Sequence, residues 1–283
     1  MDGREPVMVR ELFPELRECL LGLLGGLTEA QWQAPTVCAG WSVHDVALHL
    51  LGVTVANISR RRDGYAGNFS TFVPAGAGLD DPDTLVAALN AWNEAWVLAA
   101  RRISPRLLCH LLDVTGQELE AHFRSLDLMA PGDPVNWAGP HPAPVWLDVA
   151  REYTEHWTHQ AQIRDALGAP ALDTPRLFAP VLATFMHALP YTLRTVARPP
   201  GTRLELVIRG PAGGRWVVER FPQGWAFVDG QGVAFAARVS LDQDTAWRLV
   251  TKGLSPADAL ARVELAGDPE LARAALGMVA IIG

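Results

Sequence analysis

The spacing of the apolar residues changes once along this chain, and that change limits what it can build. Up to about residue 168 they return every three or four positions, as on a helix that buries one face. Leu12, Leu16, Leu20, Leu23 and Leu24 predict a first helix over 8–25, ended by Gly25-Gly26. Thr28 and Gln31 have capping-box spacing ahead of the loop APTVCAG. Ser42 caps a helix over 43–59, with Asp45 in its acid-favouring first turn. Beyond a Pro/Gly-rich stretch at 74–83, helices are predicted over 85–103 and 105–126. A second loop, APGDPVNWAGPHPAP, leads into a helix over 145–167 closed by Gly168.

Residues 170–175 read as a linker and 176–194 as one more helix. From TRLELVIRG onward the residues alternate, with Leu204, Leu206 and Ile208 on one face and Arg203, Glu205 and Arg209 on the other. Turns separate that strand from RWVVERF, GWAFVDG and VAFAARVSL. A helix over 242–251, a short one capped by Ser255, a strand at RVEL and a terminal helix from Asp268 complete the pattern. The expected fold class is therefore α followed by α+β: a helical bundle over 1–170, a linker and connecting helix over 171–200, and a small α+β domain over 201–283.

With 283 residues, 49% of them hydrophobic, the chain can build two cores. Its net charge of -7 argues against nucleic acid, and Arg60-Arg61-Arg62 reads as a favourable charge at a helix end. Cys19, Cys38 and Cys109 form neither a disulfide framework nor a CxxC site, so a reducing cytoplasm is expected. The opening MDGREPVMVRELF lacks the basic run of a secretory signal, and no apolar stretch is long enough to span a membrane. A cytoplasmic protein with no membrane partner is expected, as monomer or homodimer.

REYTEHWTHQAQIRDALG, residues 151–168, gathers several ligand-type side chains on one helix. Glu155 and His159 are four apart, about 6 Å along the axis on the same side, so an oxygen and a nitrogen could reach one cation. A third donor must come from a facing helix, and His49, flanking the stripe of Val46, Leu50 and Val53, is the best placed. Two imidazoles and a carboxylate with an open position suit zinc, and also ferrous iron. Residues alone leave two alternatives standing. His156 rivals His159 as the ligand, and the helix could simply present a solvated face, because its obvious buried stripe is Trp146, Ala150, Tyr153, Trp157 and Ala161.

Two segments, TEAQWQAPTVCAGWSVHDVALHLLG and REYTEHWTHQAQIRDALG, together resemble the mycothiol-dependent maleylpyruvate isomerase family, part of the DinB-like superfamily of four-helix metalloproteins. The stretch from GWAFVDGQGVAF to the end is similar to the sterol-carrier-like domain that follows the bundle in these enzymes. The resemblance covers nearly the whole chain. It implies a DinB-like four-helix bundle with metal ligands at His49, Glu155 and His159, the last chosen over His156. It further implies Zn2+ or another divalent ion, and mycothiol as cofactor. Two positions depart from the family pattern: Gln162 stands where an Asp is usual, and His156 is an extra imidazole.

A free thiol is mostly protonated near neutral pH, and coordination to zinc removes its proton. The implied activity is therefore cis-trans isomerisation, or S-transfer, of a small electrophile by mycothiol. Arg209, Arg220, Arg238 and Arg262 could clamp an anionic substrate, with Arg262 as the candidate catalytic residue. Cys38 reads as a small buried thiol, Trp41 and Trp137 as core or cleft walls, and His110, His122, His141 and His187 lack companion ligands. A thiol-independent metal hydrolase on the same bundle and a small-molecule-binding protein are the rival classes.

Overall fold

The computed structural model describes residues 5–65, 67–78, 81–230 and 234–280. Contact density divides the chain into two units made of alternating segments. One holds Arg10–Leu126 and Glu155–Leu172; the other holds Asp127–Thr154, Asp173–Ile282 and the N-terminal residues. The limits expected at 170 and 200 follow the change of apolar spacing along the chain, whereas the packing divisions fall after residues 9, 126, 154 and 172.

The first unit is helical. A 3-10 turn at Arg10–Leu12 leads into α1, Phe13–Leu24, and the short α2, Glu29–Trp32, follows with the predicted Thr28–Gln31 capping box. Helix α3, Val43–Asn57, begins at a Ser42–Asp45 capping box and runs on as a π-helical turn through Ile58–Arg62. Helix α4, Pro82–Ala100, starts and ends a few residues before its predicted position, whereas α5, Pro105–Ser125, starts where the sequence placed it. Helix α6, Val145–Leu167, contributes its C-terminal part. Leu20 and Leu24 of α1, Val46, Leu48 and Leu50 of α3, Leu108 and Leu112 of α5 and Ile163 of α6 share one buried core.

Helix α3 is the centre of this unit: every residue from Val43 to Leu51 is buried. A helix buried on all sides strands its polar groups unless each finds a partner. His44 Nε2 donates to the Ile103 carbonyl at 3.0 Å, and Asp45 closes its own cap and pairs with Arg101 at 2.8 Å. His49 is the third such group, and its partner comes from α6. Helix α4 approaches α3 at Gly52, where a Cβ would stand 2.5 Å from Trp96 Nε1; that indole donates to the Leu48 carbonyl at 2.7 Å.

The second unit carries a five-stranded sheet. Its strands are β3, Arg203–Arg209; β4, Gly214–Phe221; β5, Gly224–Phe227; β6, Ala237–Asp242; and β7, Glu264–Gly267, in the order β5-β4-β3-β6-β7. The β3–β6 pair is parallel and the others antiparallel. The expected strand at VAFAARVSL starts later than predicted, and its first residue, Val233, lies outside the described residues. Leu204, Leu206, Ile208, Val239 and Leu241 are buried, with α7, Pro175–Met186, α9, Gln243–Val250, and α11, Pro269–Ala275, packing on the strands. Glu205, on the opposite face, is 1% exposed and accepts from both Arg215 and Arg238.

Two readings are corrected here. The single helix expected over 176–194 is broken into α7, α8 at Leu189–Thr192 and a 3-10 turn at Leu193–Thr195. Pro190 sits in the first turn of α8, where its missing N–H costs no hydrogen bond; inside a continuous helix it would. The loop before α6 holds a small ladder of β1, Pro131–Pro134, against β2, Pro142–Pro144, whose paired residues are all prolines. Prolines cannot donate to a ladder, so the sequence reads there as loop. Helices α7 and α8, in the stretch expected to link the domains, bury Leu177, Phe178, Val181, Phe185 and Leu189 within the second unit.

Candidate metal centre

The site lies wholly in the helical unit, between α3 and the C-terminal part of α6. Nε2 of His49 and Nε2 of His159 both donate to the same oxygen, Glu155 Oε1, each at 3.1 Å. One donor atom from each of the three residues lies within 4.8 Å of the others, the one such group of three among the described residues. Donors around a tetrahedral zinc stand about 3.3 Å apart, given ligand distances near 2.0–2.1 Å. The two nitrogen-to-oxygen separations are already close to that figure, so the residues present fit a divalent ion.

The helical-wheel conflict resolves because α6 is buried on more than one side. Trp157 and Ala161 face one way, while Thr154, Thr158, Gln160 and Ile163 are buried as well. Gln160 reaches the Leu16 carbonyl of α1 at 3.0 Å. Glu155 and His159 therefore occupy a sheltered surface, with 20% and 13% of their side chains exposed and 5% for His49.

Electrostatics follow from that shelter. Burial disfavours charge on all three groups, but the contacts split them. Burial pushes His49 down, only partly offset by its bond to Glu155, and keeps it neutral. Burial would raise Glu155, yet the positive His159 and the two histidine bonds outweigh it and hold this carboxyl well below the carboxylate range. Burial would also lower His159, but the Glu155 charge and bonds to Cys38 and Glu155 push it up to about 10. In the metal-free protein Glu155 and His159 thus form an ion pair with His49 as a neutral third member.

The rest of the site is set by the loop between α2 and α3. Thr36 Oγ1 donates to the Trp41 carbonyl at 2.8 Å and accepts from the Cys38 N–H at 3.2 Å, while the Trp41 N–H donates to the Cys38 carbonyl at 3.0 Å. Gly40, at φ +79, supplies the left-handed residue that this tight turn requires. The folded loop sets the Trp41 ring 5.2 Å from that of His49 and brings Cys38 Sγ to 3.3 Å from Gln162 Oε1. Glu94 of α4 accepts from Trp41 Nε1 at 2.7 Å.

Other candidates lie elsewhere. His156 sits next to Glu155 in sequence but on another side of α6, its ring 6.0 Å from Phe13 and edge-on. It stays neutral because burial pushes it down to about 4, and its Nε2 has no hydrogen-bond partner among the described residues. Trp137 is buried in the second unit. Arg209, Arg220, Arg238 and Arg262 all belong to that unit as well. Arg209 pairs with Glu264 at 2.8 Å, Arg238 with Glu205, and Arg220 reaches the Gly224 carbonyl. Arg262 is exposed just after α10, Pro256–Ala259, where its N–H donates to the Ala259 carbonyl at 2.8 Å. Sequence reasoning missed Glu94, because a single acid in α4 carries no signal of its own. It saw Gln162 only as a departure, although the i, i+3 spacing from His159 was there to read.

These features define a class: a helical bundle in which two histidines and a glutamate from facing helices make a candidate metal centre. Residues 13–164, just over half of the chain, match the family described as Mycothiol maleylpyruvate isomerase N-terminal domain, and the chain belongs to it. No curated protein matches the sequence. Two crystal structures of the mycothiol-dependent maleylpyruvate isomerase are similar over 93% of both chains. One has a TM-score of 0.51 at 14% identity. The other, of a mutant, has a TM-score of 0.52 at 13% identity. At such identities the likeness speaks for the fold, a helical N-terminal part followed by a sheet-containing C-terminal part. No helix among the described residues is long and apolar enough to cross a membrane.

Proposed function

We propose that this protein is a divalent-metal-dependent enzyme that uses mycothiol, or a similar low-molecular-weight thiol, to isomerise a small electrophilic substrate across a double bond or, as an S-transferase, to conjugate that thiol to it. The observation that carries this reading is the convergence of His49, Glu155 and His159 on one point in a chain of this family. Zn2+ held by these three residues with one position open would acidify a bound thiol and polarise a substrate carbonyl. The isomerase reading is favoured over S-transfer by the names of the family and of the similar structures.

What the protein's own groups contribute can be derived from their surroundings. Neutral His49 can ligate through Nε2 once its single ring proton moves to Nδ1, with no positive charge to shed, and ionised Glu155 balances part of a dication's charge. Trp41, fixed by Glu94 and by its loop, gives the centre an apolar wall that keeps water off one side. An anionic substrate needs a cation as well, and Arg262 remains our candidate because it is exposed and carries no ion pair among those described.

A pure binding role is less well supported. The cavity inside the α+β unit, lined by Met186, Leu206, Val239, Leu249 and Leu276, is about 10 Å³. That is at the limit for one water, whereas small-molecule pockets run to several hundred Å³.

The deciding experiment loads the purified chain with Zn2+ and supplies mycothiol with maleylpyruvate, and separately with an alkylating bimane. Thiol-dependent isomer formation supports the first reading, and conjugation alone supports S-transfer. Turnover that is unaffected by omitting the thiol points to the hydrolase-type alternative. A chain that takes up no metal defeats all three.

A further inference from the structure

His159 is held from both ends. Its Nε2 faces Glu155 and its Nδ1–H donates to Gln162 Oε1 at 2.7 Å, three residues further along α6. A histidine with its Nδ1–H engaged leaves Nε2 as the nitrogen for a cation, and fixes the plane of the ring. Gln162 differs from a carboxylate here. A carboxylate has only acceptors, whereas an amide turned over would present its NH2 group to the ring and repel Nδ1–H.

Something must therefore keep the oxygen inward, and Cys38 is the group in place to do so. Its Sγ lies 3.3 Å from the same Oε1, and an S–H donor to that oxygen favours the oxygen-inward amide over the flipped one, in which the sulfur could only accept weakly from NH2. The Cys38 backbone is held in place, because its N–H and carbonyl are both engaged in the Thr36–Trp41 loop, and that fixes where the thiol's Cβ stands. Cys38 is not among the three converging donors; it stands on the Nδ1 side of the ring, where it also interacts with His159 directly.

We infer that Gln162 and Cys38 act as a pair of positioning residues: the Cys38 thiol sets the orientation of the Gln162 amide, and the amide sets that of His159 for cation binding. This rests on the metal reading above for its purpose, but the orientation itself can be measured without metal.

The test uses the full chain with Gln162→Leu, Gln162→Glu, Cys38→Ala and Cys38→Ser. In metal-free wild-type protein, proton NMR should show a slowly exchanging, hydrogen-bonded N–H resonance assigned to His159 Nδ1. Gln162→Leu should lose it, and Gln162→Glu should restore it. Competition titration with Zn2+ alone should show affinity about 10–100-fold weaker in Gln162→Leu, the usual cost of removing such a partner, and within a few-fold of wild type in Gln162→Glu. Cys38→Ala should weaken Zn2+ several-fold while Cys38→Ser, which keeps a donor, should not. A His159 resonance that persists in Gln162→Leu overturns the inference. So does a Cys38→Ala protein whose resonance and Zn2+ affinity are unchanged. Should wild-type protein bind no Zn2+, the metal reading falls, while the resonance still decides whether the relay exists.

Discussion

The imidazole rings of His49 and His159 meet edge to face, 77° apart with centroids separated by 4.6 Å, across the gap between α3 and α6. Two cationic rings would not share that space. Their closeness is stable only with at most one proton too many between them, and Glu155 balances that charge. An ion in place of the proton would serve the same balance.

Ligand variants should separate His156 from the three converging groups. His49→Ala and His159→Ala are each expected to lose stoichiometric Zn2+, measured by elemental analysis after gel filtration, and to lose activity with it. His156→Ala should keep the metal, because its ring points toward Phe13 on another side of α6. Metal retained in His159→Ala and lost in His156→Ala would reverse the assignment.

Trp41 and Glu94 should be energetically coupled. The bond between them links the loop before α3 to α4, is 2.7 Å long and has a charged acceptor. A double-mutant cycle with Trp41→Phe and Glu94→Ala, read by denaturant unfolding, should give a coupling of about 1–2 kcal/mol. A coupling near zero would mean that the indole is held by packing alone.

Gly52→Ala tests the contact of α3 with α4. Alanine normally helps a helix by up to about 1 kcal/mol over glycine. Here the new methyl would meet the Trp96 ring and break its bond to the Leu48 carbonyl. Overpacking of this kind costs about 1–3 kcal/mol, so the expected net change is a loss of stability. A rise in melting temperature would show that Trp96 moves away at no cost.

The α+β unit should be sensitive to acid through Glu205. Burial would raise this carboxyl, but Arg215 and Arg238 outweigh burial and leave it below its ordinary 4.5. A carboxyl depressed on folding stabilises in full above its unfolded pKa, and that contribution drains away as pH falls through the folded value. Glu205→Gln should therefore flatten the acid limb of the stability curve, while the wild type loses stability below about pH 4–5. Removing both arginines strands a buried charge and should cost about 3–5 kcal/mol, more than Glu205→Gln does. Equal acid limbs for wild type and Glu205→Gln would exclude this carboxyl as the source.

Much of the architecture was legible along the chain because it depends on neighbours in sequence. The capping box at Thr28–Gln31 and the Ser42 N-cap formed where the sequence put them, and the alternation at 203–209 became β3 with its apolar side inward. Glu155 and His159 were readable as a pair for the same reason, since a helix fixes residues four apart. The proline-paired β1–β2 ladder and the break at Pro190 were not, because each depends on what the chain packs against.

Local spacing also could not say whether the Glu155 side of α6 faces water or protein. That required α3 to be buried on all sides, so that His49 had to find its partner on α6. Nor could it place Trp41 against His49 and Cys38 against Gln162 of α6; a glycine-dependent turn does that. Sequence alone determined most of the helices and strands and the kinds of donor. Tertiary structure decided which donors meet, since short-range geometry acts through bonds and helical rise, while convergence depends on which buried polar group can be satisfied by which facing surface.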